Sequence, residues 1–438
     1  MTPYSLREHI TNSFDFPEDE FSEEIRFKKK RTDGSCAAFK VAGQEMTIST
    51  TYYVGADWIP QHEGKHWIYV ASKLNTKFDE ESGEESIQNP EELVRVDVLK
   101  MLFQALEEPE VRDHTQELFE IKFDQPWIPL QKYQDLISPL IMIQFLNQLK
   151  DIVRKGLKKS YYKVERNLYA KVKGKVLVSK TIKQNLVKSK NLNTHCLYEE
   201  FGVDGLENRL LKKTLTFIRK YLATVKGLDS ASYFEEAFCF IQPAFETVSE
   251  EVQLYEIKHF KFNPFYKNYE KAIELARLIL QRFSYNLHTI QEQETILTPP
   301  YWIDMSKLFE LYVLGKLKDE YGSKIAYHQR TYGNELDFLY VDGTDVKIID
   351  AKYKPQYIGK SHQGLHNDIR QVSGYARSKA IREKAGVRDP NKLLECVIVF
   401  PNQNSESMEI NNLHQLEVEQ YEKAWKVGVK LPQLTTPV

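Results

Sequence analysis

The chain has 438 residues, with 60 Lys or Arg against 62 Asp or Glu, a net charge of −2, 42% apolar residues and 12% aromatic ones. That length exceeds what one hydrophobic core usually serves, so several domains are expected. The near-neutral charge excludes a whole-molecule field that would attract nucleic acid, which leaves only local patches for that task.

No apolar run approaches the ~20 residues of a membrane helix, and MTPYSLREHITNSFDFPEDE lacks the basic-then-apolar pattern of a signal peptide. The dispersed Cys36, Cys196, Cys239 and Cys396 form no C-x-x-C pair, which argues against a zinc cage and a disulfide framework. A cytoplasmic chain with no membrane partner and with reduced, mostly buried thiols is expected.

The first predicted segment, residues 1–135, alternates strand-like runs such as AAFKVAGQEMTISTTYYV and HWIYVAS with Gly-bearing breaks and reads as a β-rich domain. Residues 136–295 are mainly helical: ISPLIMIQFLNQLKDIVRKGL and NRLLKKTLTFIRKYLATV place apolar residues three and four apart. Between them NLYAKVKGKVLVSKTIKQNL, with Gly174, predicts a short hairpin. From Lys150 to Lys190, fourteen Lys or Arg meet two acids, Asp151 and Glu165. Such a block can follow a phosphate backbone, with Lys171, Lys173, Lys175 and Lys183 as candidates. It can equally be a solvated face balanced by acidic stretches such as FDEESGEESIQNPEE. The third segment, 296–438, opens at LTPPYWIDMSKLFELYVLGKLKDEYG, where Asp304 is placed to cap a helix. The fold class expected is multidomain α+β, with an α/β C-terminal domain.

Chemistry concentrates in TYGNELDFLYVDGTDVKIIDAKYKP. Side chains on a strand alternate, so Ile348, Asp350 and Lys352 share a face. Asp342-Gly343 signals a hairpin that brings Asp337 beside Asp350. Two facing carboxylates raise each other's proton affinity unless a cation separates them. A hard divalent ion such as Mg²⁺ is bound typically by one or two carboxylates, with water and phosphate oxygens completing the shell. Asp345-Val346-Lys347 repeats the acid-x-Lys pattern but falls at the turn on the opposite face. Downstream, Gln371 and Tyr375 lie four apart on a predicted helix; upstream, Glu310 sits on the helix before the hairpin.

Asp337, Asp350-Ala351-Lys352 and the Gln371-Val372-Ser373-Gly374-Tyr375 helix resemble the PD-(D/E)xK nuclease core of the RecB-like branch, with Glu310 as its first-helix acid. The usual Pro before the first Asp is Leu336 here. The resemblance implies catalytic roles for Asp337, Asp350, Lys352, Glu310, Gln371 and Tyr375, and Mg²⁺ or Mn²⁺ at Asp337, Asp350 and Ala351. Further upstream, Asn167-Leu168, Lys173-Gly174-Lys175, Cys196 to Phe201 and Asn208-Arg209-Leu210-Leu211-Lys212 are similar to the central segment of McrC subunits of McrBC-type restriction systems. That family has Arg where Lys flanks Gly174, and Lys lacks the bidentate fork of Arg.

This second resemblance implies a restriction endonuclease subunit that cuts double-stranded DNA and stimulates a separate AAA+ NTPase of the McrB type, usually GTP-dependent. The sequence itself carries no phosphate-binding loop, so nucleotide dependence must come from a partner. A non-cleaving activator subunit and a stand-alone repair nuclease are the competing readings. The N-terminal segment is expected to dock the NTPase, and the chain from about residue 296 to suffice for the metal site. His195 reads as a packed histidine, His362 and His366 as loop residues, and HFKFNPFYKNYEKA as core aromatics rather than base-stacking platforms.

Overall fold

The structure is a computed structural model describing residues 2–15, 25–28, 35–42, 45–59, 66–72, 77–78, 85–86, 95–112, 114–115, 118–131, 136–223, 232–252, 267–282, 295–331, 334–354, 363–403 and 410–434. His362, the stretch 259–266 and most of FDEESGEESIQNPEE lie outside the described residues. The elements form a mixed α+β fold in two compact units, Met1–Leu130 with Leu297–Val438, and Gln131–Ile296.

The first unit begins with β1 (Thr2–Arg7), β2 (Thr11–Asp15), β3 (Ile25–Lys28), β4 (Ser35–Ala42), β5 (Glu45–Thr50), β6 (Tyr53–Trp58) and β7 (His66–Ala71). Helix α1 (Val98–Leu106), capped by Asp97 Oδ1 on Lys100 N at 2.9 Å, and β8 (Phe119–Ile121) follow. Strands β2, β5, β4 and β3 make one antiparallel sheet.

The second unit contains α2 (Ile137–Lys155), β9 (Ser160–Tyr169), β10 (Lys175–Val176), α3 (Val178–Gln184), β11 (Asn193–Gly202), α4 (Leu206–Leu222), α5 (Ser232–Ile241) and α6 (Lys267–Arg282). Helices α2, α4 and α6 pack together. On α4 the buried Leu210, Leu211, Thr214, Leu215, Ile218 and Leu222 recur at helical spacing, which makes one apolar face. The hairpin expected within 167–186 does not form. Instead β9 pairs along ten residues with β11, β10 joins the far edge of β11, and α3 occupies the remainder. The strand signal was sound, but the partner is HCLYEEFG, further along the chain.

The chain then rejoins the first unit with β12 (Tyr301–Asp304), α7 (Met305–Tyr321), β13 (Ile325–Thr331), β14 (Asn334–Asp342), β15 (Asp345–Ala351), α8 (Gln363–Ala376), β16 (Glu395–Pro401), β17 (Leu416–Glu417) and β18 (Ala424–Val429). Asp304 Oδ1 caps α7 by accepting from Lys307 N at 3.0 Å, as the sequence predicted. Strand β12 completes a five-stranded sheet, β1-β7-β6-β12-β8. It passes so close to β6 that a Cβ on Gly55 would sit 2.1 Å from Tyr301 O. Trp302, fully buried among Tyr4, Phe39, Met46, Ile48 and Ile68, donates through Nε1 to Asp57 Oδ2 at 2.8 Å. The outer segments read as separate in the sequence are therefore one body, because β12 supplies a strand that β6 and β8 require.

The remaining strands form a six-stranded sheet, β13-β14-β15-β16-β18-β17, antiparallel through β15 and parallel across β15, β16 and β18. Gly343, at φ 59°, makes the two-residue Gly343-Thr344 connection between β14 and β15. Helix α8 covers one face through Leu365, Ile369 and Val372 against Leu339, Ile348 and Ile398. Among the described residues no helix is long and apolar enough to cross a membrane. Cys36, Cys196 and Cys396 are buried and Cys239 is exposed, all with reduced thiols.

Candidate active site

The hairpin register pairs Phe338 with Ile349 and Leu339 with Ile348, so the next step outward sets Asp337 opposite Asp350. Asp337 Oδ2 accepts from Ala351 N at 2.9 Å. Asp350 is 2% exposed, and its Oδ2 is paired with Lys352 Nζ at 2.8 Å. Lys352 Nζ also donates to Gln371 Oε1 at 3.2 Å, and Gln371 Nε2 to Tyr375 Oη at 3.4 Å. One polar chain thus runs from Asp350 through Lys352 to α8. A half-exposed surface salt bridge would show none of this burial.

The electrostatics follow from crowding. Burial, then the facing Asp350 and Glu310, push Asp337 well above the ordinary carboxylate range, despite the Ala351 N–H. Asp350 is also raised, chiefly by burial, with Lys352 opposing. Burial alone would lower Lys352, but the Asp350 carboxylate outweighs it and the ammonium is held charged. Glu310, on α7, goes the other way: burial is outweighed by the donors His328, Lys307 and Tyr327, and its carboxyl is held low.

Whether these groups suit a divalent cation is decided by the donor set. Among the described residues no three His, Cys, Asp or Glu side chains stand together as metal ligands. Two buried carboxylates that repel each other, Asp337 and Asp350, and the main-chain carbonyl, the one ligand Ala351 can offer, remain. That set fits Mg²⁺, which takes few protein oxygens and keeps its waters.

Several participants went unread in the sequence. Asp368 on α8, 7% exposed and bound by Lys354 Nζ at 2.9 Å, adds negative charge that raises Asp350 and Lys352. Its spacing of three and seven from Gln371 and Tyr375 was a legible signal. Lys307, three before Glu310, was legible in the same way, and its Nζ reaches Oε1 at 3.1 Å. Tyr353 Oη donates to the buried Glu8 at 2.8 Å, across 345 residues, a contact no local pattern announces. Register continues the Asp350 row through Ile398 to Lys426, a buried lysine lowered by desolvation.

Elsewhere, Lys171, Lys173, Lys175 and Lys183 are all exposed on or beside the β9-β11-β10 sheet. Lys173 Nζ meets Glu200 at 3.1 Å and lies 4.1 Å over the Tyr198 ring; Lys180 pairs with Glu165. The block therefore has partial counter-charge of its own. It also carries exposed apolar groups, with Tyr161 73% and Val187 74% exposed. His195 is buried under α3 with no hydrogen bond from its ring, and His366 Nδ1 meets Tyr421 Oη at 3.2 Å; neither joins the site. Tyr269 of the aromatic stretch is core, its hydroxyl donating to Asn208 at 2.8 Å.

Comparison with known proteins gives three results. No curated protein matches. Among solved structures, a chain in the half-complex from a tetradecameric assembly of Thermococcus gammatolerans McrB AAA+ hexamers with bound McrC is similar at 16% identity and a TM-score of 0.37, over 98% of this chain and 94% of that one. A chain of the cryo-EM structure of the Thermococcus gammatolerans McrBC complex is similar at 15% identity and a TM-score of 0.27, over 72% and 87%. The profile of the McrBC 5-methylcytosine restriction system component family matches residues 52–386, which is more than half of the 438. The chain belongs to that family and is a restriction system component.

Proposed function

We propose that the chain is the Mg²⁺-dependent DNA endonuclease subunit of its restriction system, of PD-(D/E)xK type, working with an AAA+ NTPase of the McrB type that hydrolyses GTP. The observation that carries the reading is the joining of Asp350, Lys352, Gln371 and Tyr375 into one bonded chain facing Asp337. Family membership and the lack of a phosphate-binding loop in the chain support the NTPase partner.

In this reading Asp337, Asp350 and the Ala351 carbonyl hold Mg²⁺, which when bound lowers the proton affinity of a water and offsets charge on the phosphodiester. Lys352, kept cationic by Asp350 and aimed by Gln371, supports the charge that develops on the phosphate as water attacks. Glu310 keeps an ionised carboxylate beside the pair. The low-dielectric surroundings of Asp350 strengthen each of these interactions.

The test uses full-length protein with its NTPase, GTP, Mg²⁺ and double-stranded plasmid DNA. Asp350→Ala is expected to abolish cutting while stimulating GTP turnover as wild type does. Wild-type cutting by Asp350→Ala would remove the nuclease assignment.

A further inference from the structure

We propose that His328 is a positioning residue of the same site, holding Glu310 so that one carboxylate oxygen is saturated and the other faces the Asp337–Asp350 pair. The inference rests on the nuclease reading and extends it to a residue that the sequence did not single out.

The backbone gives the first reason. Register pairs Tyr327 with Phe338 and Gln329 with Leu336, so His328 stands opposite Asp337. It does so at φ 49°, inside strand β13, where a left-handed non-glycine residue is uncommon and no turn calls for it. Neighbouring strand residues normally point to opposite faces. Here Tyr327 and His328 both reach Glu310, and their rings stack at 3.8 Å and 21°. The left-handed step is what brings the imidazole round to the tyrosine's side.

The side chains give the second. His328 Nε2 and Tyr327 Oη each lie 2.6 Å from Glu310 Oε1, and Lys307 Nζ lies 3.1 Å from the same atom. A carboxylate only accepts, so Nε2 carries the proton in that contact. Among the described residues every hydrogen bond to Glu310 ends on Oε1. On its other side, His328 Nδ1 lies 3.3 Å from Glu335, and His114 meets the Tyr327 and His328 rings edge-on at 4.7 and 5.7 Å. A histidine that merely filled space would not need a strained backbone to reach one oxygen already held by two donors; strain of this kind gathers at functional sites.

The experiment compares full-length wild type with His328→Gly, His328→Ala, His328→Gln and Asp350→Ala. It reads cleavage with Mg²⁺, with and without the NTPase and GTP, together with melting temperature and calorimetric Mn²⁺ affinity. His328→Gly accepts the left-handed backbone, so it should melt higher than His328→Ala while kcat in both falls about 10- to 100-fold, the loss of one bond to a charged group, at unchanged KM for DNA. Mn²⁺ affinity should fall with it. His328→Gln, able to return an N–H to Oε1, should recover most of the rate. Wild-type kcat and Mn²⁺ affinity in the Gly and Ala variants overturn the positioning role while the nuclease reading stands, as does a rate that merely tracks melting temperature. Failure of wild type to cut in every arm removes the nuclease reading, and this role with it.

Discussion

Gln371 holds Lys352 from one helix turn below Tyr375, its Oε1 accepting from Lys352 Nζ at 3.2 Å while Asp350 lies 2.8 Å from the same nitrogen. The ammonium is fixed between a neutral acceptor and a charged one, so its direction does not depend on Asp350 alone. Gln371→Ala is expected to reduce cutting about tenfold and Tyr375→Phe by only a few-fold, since the latter removes one long contact to a neutral amide. Lys352→Ala should abolish cutting. Single-turnover rates on plasmid DNA separate the three, and a Gln371→Ala rate equal to wild type would show that Asp350 alone orients the lysine.

Asp337 offers a stability measurement. Its folded-state proton affinity is raised from an ordinary pKa of 3.8, so the folded chain keeps this proton to a higher pH than the unfolded chain does. Between those two values the unfolded state binds fewer protons, and stability falls as pH rises. Asp337→Asn removes that loss. In EDTA the stability gain of the variant should be small near pH 4 and widen toward neutral pH, at up to about 1.4 kcal/mol per pH unit while the window lasts. Parallel stability curves for wild type and Asp337→Asn would contradict the crowded-carboxylate account. Adding Mg²⁺ should stabilise wild type and leave the variant behind.

The basic block can be assigned by salt dependence. Reversing Lys171, Lys173, Lys175 and Lys183 to Glu should weaken DNA binding for all sequences and flatten the slope of log K against log salt by about one unit per lost phosphate contact. An unchanged slope with lost NTPase stimulation would instead make this a protein-docking surface, an outcome to which the exposed Tyr161 and Val187 lend weight.

The N-terminal strands are expected to be needed for the site to fold at all. Gly55→Ala places a methyl group 2.1 Å from Tyr301 O, a main-chain atom with little freedom to retreat. It should cost about 2–4 kcal/mol of stability. A chain that starts at Leu297 leaves Trp302 without Asp57 and should be insoluble or lack a cooperative melt. A soluble, cooperatively melting Leu297–Val438 fragment would overturn this.

The parts of the site that the sequence disclosed are those governed by short-range rules. Period two put Asp350 and Lys352 on one face, a Gly-bearing turn returned Asp337 to them, and a spacing of four aligned Gln371 with Tyr375. Asp304 declared a helix start. What escaped depended on long-range pairing or on single dihedral angles. Strand β9 found its partner in Asn193–Gly202, where ten residues of register outweigh the nearer Lys175–Val176. Nothing in IAYHQRT announces that His328 adopts φ 49° or that its ring meets Glu310.

The bond between Tyr353 and Glu8 spans 345 residues, and that between Trp302 and Asp57 spans 245. During synthesis at ~5–20 residues per second, the strands already made must wait on the order of tens of seconds for the partners that complete their sheet. Contacts of such separation also form late, because loop closure is paid before they return anything. The carboxylate pair is therefore assembled only after the intervening unit has been made. Under the proposed nuclease function, a chain still in synthesis has no assembled carboxylate pair to turn on the genome of the cell that makes it.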